Sequence, residues 1–209
     1  MKRLILASTS PRRHDLMTVA GLPFEVARPD IDETPLPDES PTDYVLRLSE
    51  AKARAVTEPG EMIILSADTT VADGDQILGK PEDPTMAEVM LRQLRGRVHL
   101  VHTGVTALDT TTGHSISCLI TSQVQMRPLS DDEVAAYVAS GDPLGKAGSY
   151  AIQNRQFHPV ERLSGCYTNV VGLPLCAVYA LLSEFEIDFP VPVNCSPLKL
   201  PCLYIQLIG

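Results

Sequence analysis

Two short apolar runs constrain this chain most. Arg3-Leu4-Ile5-Leu6-Ala7 stops at Ser8-Thr9-Ser10-Pro11, and Met62-Ile63-Ile64-Leu65-Ser66-Ala67 stops at Asp68-Thr69. Neither alternates apolar with polar residues, so each reads as a buried strand. After the first, Pro11 suits the opening position of a helix that carries Leu16, Met17, Val19 and Ala20 and stops at Gly21. Phe24 to Ala27 reads as a second strand, and residues 29–41, with four prolines among acidic residues, as a loop. Ser40-Pro41-Thr42-Asp43 caps a helix expected to run to about Val56. Val71 to Leu78 reads as a hairpin turning at Asp73-Gly74. Asp83-Pro84 opens a helix with Met86, Val89, Met90 and Leu94 as its apolar stripe. Residues 97–109 and 114–127 are expected as two long strands around Thr112-Gly113, followed by a capping box at Ser130-Asp131-Asp132-Glu133 with Val134, Tyr137 and Val138 behind it. Residues 141–168 look loop- and strand-like, and Pro174 opens a last helix from Leu175 to about Phe185. Strands alternating with helices, plus one long hairpin, imply an α/β fold with a mixed sheet. Residues 1–187 are expected to form one domain, and 188–209, with Pro190, Pro192, Pro197 and Pro201, a tail without a regular core role.

The chain has 209 residues, 44% apolar and 21% charged, which excludes whole-chain disorder, collagen and coiled coil. At this size about 70% of the surface is buried on folding, so a core needs no disulfide or structural metal. The N-terminus begins like a signal peptide, but its apolar run ends at Ala7, and no run approaches the ~20 apolar residues of a membrane span. A net charge of −9 disfavours a nucleic-acid partner and leaves room for a small anion in a local basic pocket. The five cysteines, Cys118, Cys166, Cys176, Cys195 and Cys202, are odd in number and contain no Cys-x-x-Cys pair. They suit a reduced cytoplasmic compartment and small buried positions. His99 and His102 fall on opposite faces of their strand and lack the companions of a zinc site.

Four segments can carry chemistry. Ser8-Thr9-Ser10-Pro11-Arg12-Arg13 joins a strand end to a helix start, where free N–H groups, hydroxyls and guanidinium forks suit an anion. A Ser10 N-cap with solvated arginines is an equal reading of the same residues. Lys52 falls within the apolar arc of its helix, with Tyr44, Val45, Leu48, Ala51 and Ala55, so it either opens onto a polyanion or extends along the stripe to solvent. Asp68, directly after a buried strand, suits metal binding or proton transfer from water, and Lys80, beside Pro81, suits a phosphate or a solvated turn. The glycine-bearing Lys146-Ala147-Gly148-Ser149-Tyr150-Ala151-Ile152-Gln153 is expected to lead into a strand and to present an amide able both to donate and to accept. Asp32-Glu33 reads first as a solvated loop, and second as a base or metal ligand.

Together these segments resemble the Maf family of nucleoside triphosphate pyrophosphatases. The matching blocks are Leu6 to Arg13, Glu50-Ala51-Lys52-Ala53, Ala67-Asp68-Thr69, Gly79-Lys80-Pro81, Asp142-Pro143 with Lys146 to Tyr150, and Asn169 to Pro174, in the family's order across residues 1–186. The resemblance implies a mixed, strongly twisted sheet with flanking helices and two lobes around a central cleft, related to the inosine triphosphate pyrophosphatases. It implies hydrolysis of a nucleoside triphosphate to monophosphate and pyrophosphate with Mg²⁺ or Mn²⁺, and often a homodimer. Asp68 matches the family's proton acceptor. Arg12, Thr69 and Gln153 match positions used for base selection, and Ser8, Arg13, Glu33, Lys52 and Lys80 match its polar cleft. On this likeness Asp68 and Glu33 hold the metal, while Arg13, Lys52 and Lys80 hold the β- and γ-phosphates. The Lys146 to Gln153 block looks like the dTTP/UTP branch; a 7-methyl-GTP pyrophosphatase and a nucleotide-sensing division regulator without turnover are the alternatives. Asn154-Arg155-Gln156-Phe157-His158 departs from the family's glycine-rich stretch.

Overall fold

The computed structural model describes residues 2–57 and 59–187, so the Pro-rich tail and the cysteines at 195 and 202 lie outside the described residues. β1 (Arg3–Ala7) leads into α1 (Pro11–Ala20), which stops where Gly21 turns left-handed at φ +76°. β2 (Glu25–Ala27) lies parallel to β1, and α2 (Pro41–Arg54) begins where the Ser40 hydroxyl accepts the Asp43 N–H at 3.1 Å. β3 (Met62–Asp73) turns through Gly74-Asp75 into β4 (Gln76–Leu78). α3 (Pro84–Leu94), β5 (Val98–Asp109) and β6 (Ser115–Met126) follow. α4 (Asp131–Ala139) carries the expected capping box, and β7 (Val160–Ser164), α5 (Tyr167–Val171) and α6 (Leu175–Ser183) complete the described chain. The seven strands form one mixed, twisted sheet in the order β2-β1-β3-β5-β6-β7, with β4 also on β3.

Register explains the cleft. β1 pairs with β3 only up to Leu6↔Leu65, and β4 joins β3 only from Val71↔Leu78. Between them, residues 66–70 of β3 pair with β5 but, among the described residues, with no strand on the other side. This notch opens at the carboxyl end of a parallel strand, where α/β sheets place their ligands. The face carrying Ala67, Thr69 and Val71 holds two apolar clusters. One packs Leu6, Leu65 and Val105 against α1 and α6; the other packs Val71, Val101 and Val124 against α3 and α4. On the opposite face, Ile5, Ile64 and Leu108 meet Ala53 of α2. The two lobes therefore share one sheet and part at the notch.

α2 lies very close to β5. A Cβ at Gly104 would stand 2.4 Å from the Val45 carbonyl oxygen, so only glycine fits beneath the helix.

Several expectations change. β3 is continuous, so Asp68 lies inside a strand and not after its end. The inner turn residues of the hairpin are Gly74 and Asp75. The buried stripe of α3 is Ala87, Met90, Leu91 and Leu94, a regular i, i+3, i+4, i+7 set, whereas Met86 and Val89 are exposed. α2 ends at Arg54, and α6 starts at Leu175 as expected but ends at Ser183. Residues 150–153 form an extended link and a turn instead of entering a strand, and α5, five residues long, was not expected. Cys166 and Cys176 are buried and Cys118 is half-buried.

His99 and His102 do face opposite sides of β5, each against a hydroxyl: Tyr150 at 2.7 Å and Thr121 at 2.9 Å. Burial pushes the His99 imidazole down to about 4, and its Nδ1 has no hydrogen-bond partner among the described residues. Between that value and the ordinary 6.5 the unfolded chain binds the extra proton, so stability falls as pH falls through this window. Wild type should lose about 2 kcal/mol more than His99→Gln between pH 7 and pH 5, read by urea unfolding. Gly104→Ala should cost about 1–3 kcal/mol in the same assay at pH 7, as overpacking does.

Candidate active site

All nine residues singled out from the sequence (Ser8, Arg12, Arg13, Glu33, Lys52, Asp68, Thr69, Lys80 and Gln153) line one cavity of about 620 Å³ at the notch. That volume is within the usual range for a small-molecule site. Asp68 and Thr69 are neighbours on one strand and point to opposite faces. Both reach the cavity because the strand edge is open there.

Lys52 is the centre of the polar set. Its position inside the apolar arc of α2 carries it into the sheet, where it is only 6% exposed. It neither extends to solvent nor stays alone. Its ammonium donates to Asp68 Oδ1 at 2.5 Å and pairs with Glu33 Oε1 at 2.7 Å. A buried ammonium needs such partners, because an unpaired one would lose its hydration without compensation. Asp68 Oδ2 makes no hydrogen bond among the described residues. Lys80 is exposed and stands 3.6 Å from the other oxygen of Glu33.

Glu33 is not a freely solvated loop residue. The Tyr44 hydroxyl donates to its carbonyl at 2.9 Å, and Arg47 donates to the Thr34 carbonyl at 3.2 Å while gripping Glu39 at 2.5 Å. The start of α2 thus pins the acidic loop over Lys52. Burial alone would raise the Glu33 carboxyl; the hydrogen bond and charge of Lys52, then Lys80, hold it below the usual range. Burial, reinforced by the negative field of Asp68 and Glu33, pushes the Tyr44 phenol up to about 12.

At the head of α1, Ser10 occupies the N-cap without a side-chain capping bond, and the first turn holds no acid. The positive end of the helix is therefore uncompensated where Ser8 to Arg13 line the cavity. Ser8 accepts the Ser10 N–H at 3.2 Å. Arg13 uses all three of its nitrogens on the protein: Nε to the Gly172 carbonyl at 2.7 Å, Nη2 to Thr69 at 3.1 Å and Nη1 to Ser8 at 3.4 Å. It ties the helix start to β3 and to the end of α5. Arg12 makes no hydrogen bond or ion pair among the described residues, and burial lowers its guanidinium against the raising field of Asp142 and Tyr137.

The cavity gathers five cations, Arg12, Arg13, Lys52, Lys80 and Lys146, against the carboxylates Glu33 and Asp68. A chain of net charge −9 thus concentrates positive charge at one place. Val71, Val101, Val170 and Tyr150 supply an apolar wall. Gly148, at φ +65°, packs onto Val71, which a Cβ would approach to 2.8 Å. Sequence reasoning missed the Gly172 carbonyl, which also accepts from Thr69 at 3.3 Å, although the run from Asn169 to Pro174 was part of the resemblance.

The family model described as Maf-like protein matches residues 3–185. The chain belongs to the Maf family. The dTTP/UTP pyrophosphatase of Geobacter sp. strain M21 is 47% identical over 84% of this chain and 91% of its own length. The dTTP/UTP pyrophosphatase of Sphingopyxis alaskensis is 47% identical over 90% of this chain and 98% of its own. Among solved structures, the Staphylococcus aureus Ham1 protein matches 61% of this chain and 73% of its own at 15% identity and a TM-score of 0.43. In this Maf protein, Lys52→Met should cost about 3–5 kcal/mol by leaving a buried carboxylate unpaired. Adding Asp68→Leu should restore part of that loss; urea unfolding of both variants checks it.

Proposed function

We propose that this Maf-family protein hydrolyses dTTP and UTP to the monophosphate and pyrophosphate. The observation that carries the reading is the convergence of Lys52, Lys80 and the open end of α1 around Asp68 in one notch. Relatives named for this activity, matched over most of the chain, support it.

The chemistry needs an aligned water, a proton acceptor and positive charge along the triphosphate. Asp68 is held by Lys52 through one oxygen and offers the other to water. Water attacks the α-phosphorus, its proton passes to Asp68, and the bond to the bridging oxygen breaks as pyrophosphate departs. Lys80 and the start of α1 stabilise the leaving group. Lys52 is shared between its two carboxylates and reaches phosphate when Glu33 yields. Arg13 keeps Thr69 and Ser8 in place and has fewer donors left for phosphate than the sequence suggests. Arg12 and Gln153, neither bonded to another described residue, are the groups available to a base.

A divalent cation, Mg²⁺ or Mn²⁺, belongs to this proposal. Among the described residues no group of three or more His, Cys, Asp or Glu side chains is arranged to hold a metal. Glu33 and Asp68 nevertheless lie on either side of the Lys52 ammonium, each with a second oxygen turned from it, and one or two carboxylates completed by substrate phosphates are the usual donor set for Mg²⁺. When bound, such a cation neutralises phosphate charge. The proposal also treats residues 1–187 as the catalytic domain, with a homodimeric assembly, no nucleic-acid partner and a cytoplasmic location. The acidic balance outside the cleft supports the third of these. No helix among the described residues is long and apolar enough to cross a membrane.

A panel of dTTP, UTP, CTP and 7-methyl-GTP, read as pyrophosphate release with Mg²⁺ or Mn²⁺, tests the reading. dTTP and UTP should be preferred; preference for 7-methyl-GTP, or tight binding without turnover, contradicts it. Asp68→Asn should lower kcat on the order of 10²–10⁴-fold, the scale of a lost general base.

A further inference from the structure

We propose that Asp142, Tyr137 and Asn154 form a positioning unit that fixes the Gln153 amide and thereby sets which pyrimidine the cleft accepts. The inference rests on the triphosphate hydrolysis proposed above and concerns its base specificity. Gln153 is the second inner residue of a turn closed by the Asn154 N–H, which donates to the Ala151 carbonyl at 3.0 Å. Its side chain is exposed to the cavity and makes no hydrogen bond among the described residues. A glutamine amide has a donor end and an acceptor end. Turned one way it matches the O4 and N3–H of uracil; turned the other way it matches the N3 and amino group of cytosine. An amide without a partner of its own therefore discriminates only through the place where its turn holds it against the other cleft groups.

That turn is tied at both ends to one carboxylate. The Tyr137 hydroxyl donates to Asp142 Oδ2 at 2.5 Å and accepts the Ala151 N–H at 3.2 Å. Asn154 Nδ2 donates to the same Oδ2 at 3.0 Å, and Lys146 donates to Oδ1 at 3.2 Å. Asn154 Oδ1 accepts the N–H groups of Gln156 and Phe157 at 3.1 and 2.8 Å. The Phe157 ring stacks on Tyr137, with centroids 3.7 Å apart and planes inclined by 10°. Arg127 then donates to the carbonyls of His158 and Phe157 at 2.6 and 3.0 Å and pairs with Glu133 of the capping box on α4. Burial works against the Asp142 carboxylate, but bonds from Tyr137, Asn154 and Lys146 hold it ionised.

The segment that departs from the family's glycine-rich stretch is therefore ordered by its own side chains. The unit is anchored to α4, whereas Asp68 and Lys52 are held by β3 and α2. Disturbing it shifts base reading without shifting the groups that attack phosphorus.

The test compares wild type, Asn154→Ala, Tyr137→Phe and the double variant. Tyr137→Phe keeps the ring stack and removes only the hydroxyl, so it serves if Asn154→Ala folds poorly. Turnover of UTP and CTP is measured beside calorimetric binding of their α,β-imido analogues. Each single variant should lower the UTP-to-CTP preference about tenfold, mostly through KM, the scale of one lost hydrogen bond. kcat for UTP should stay within about twofold, and the double variant should be little worse than either single one, because both act through Asp142. Unchanged preference in both single variants, or an equal kcat loss for both nucleotides, overturns the proposal. If wild type binds the analogues but releases no pyrophosphate, the hydrolytic reading fails while the binding ratio still decides the role of the unit. If it binds neither analogue, both fail.

Discussion

The burial of one lysine organises this structure. Lys52 enters the sheet from α2 at a place where, among the described residues, β3 has no strand on the side away from β5, and there it meets Asp68 and Glu33. Moving an ammonium out of water is costly and is tolerated only when bonded partners replace its hydration. Several distant features follow from that requirement. β1 stops short and β4 starts late, which leaves the notch open. Gly104 lets α2 lie against β5, which brings Lys52 to depth. Tyr44 and Arg47 pull the acidic loop down so that Glu33 arrives as the second partner. On the proposed function, a polyanion entering the notch would compete with these carboxylates for the same cations.

Much of this was legible in the sequence where the signal was local. Proline at a helix start, serine at a cap and glycine at a helix end act within a few residues, and α1, α2 and α4 begin where those signals stand. The long hairpin of β5 and β6 was visible because its strands flank their own turn. Lys52 betrayed itself by violating the apolar arc of its helix. The notch was not visible, since it depends on how far two strands distant in sequence pair with β3. α5 spans five residues, too few for any periodicity to show.

The site residues divide in the same way. Asp68, Lys52 and Lys80 were identified by residue type and resemblance, and the fold brings them together. The task of Arg13 was legible only in part: its fork points to an anion on paper, yet its three nitrogens are engaged by neighbouring Ser8 and by Gly172 and Thr69, which the chain supplies from two distant segments. The linkage of Tyr137, Asp142 and Asn154 was hidden as well, because each residue alone has an ordinary local role in a helix, a turn or a loop.

The most direct measurement is the structure of this protein bound to α,β-imido-dUTP, whose α–β linkage resists hydrolysis. The account predicts the triphosphate lying along the notch, its α-phosphorus beside the free oxygen of Asp68, with Lys80 and the start of α1 on the outer phosphates. A triphosphate seated on another surface, or in the notch with its α-phosphorus turned away from Asp68, would contradict it.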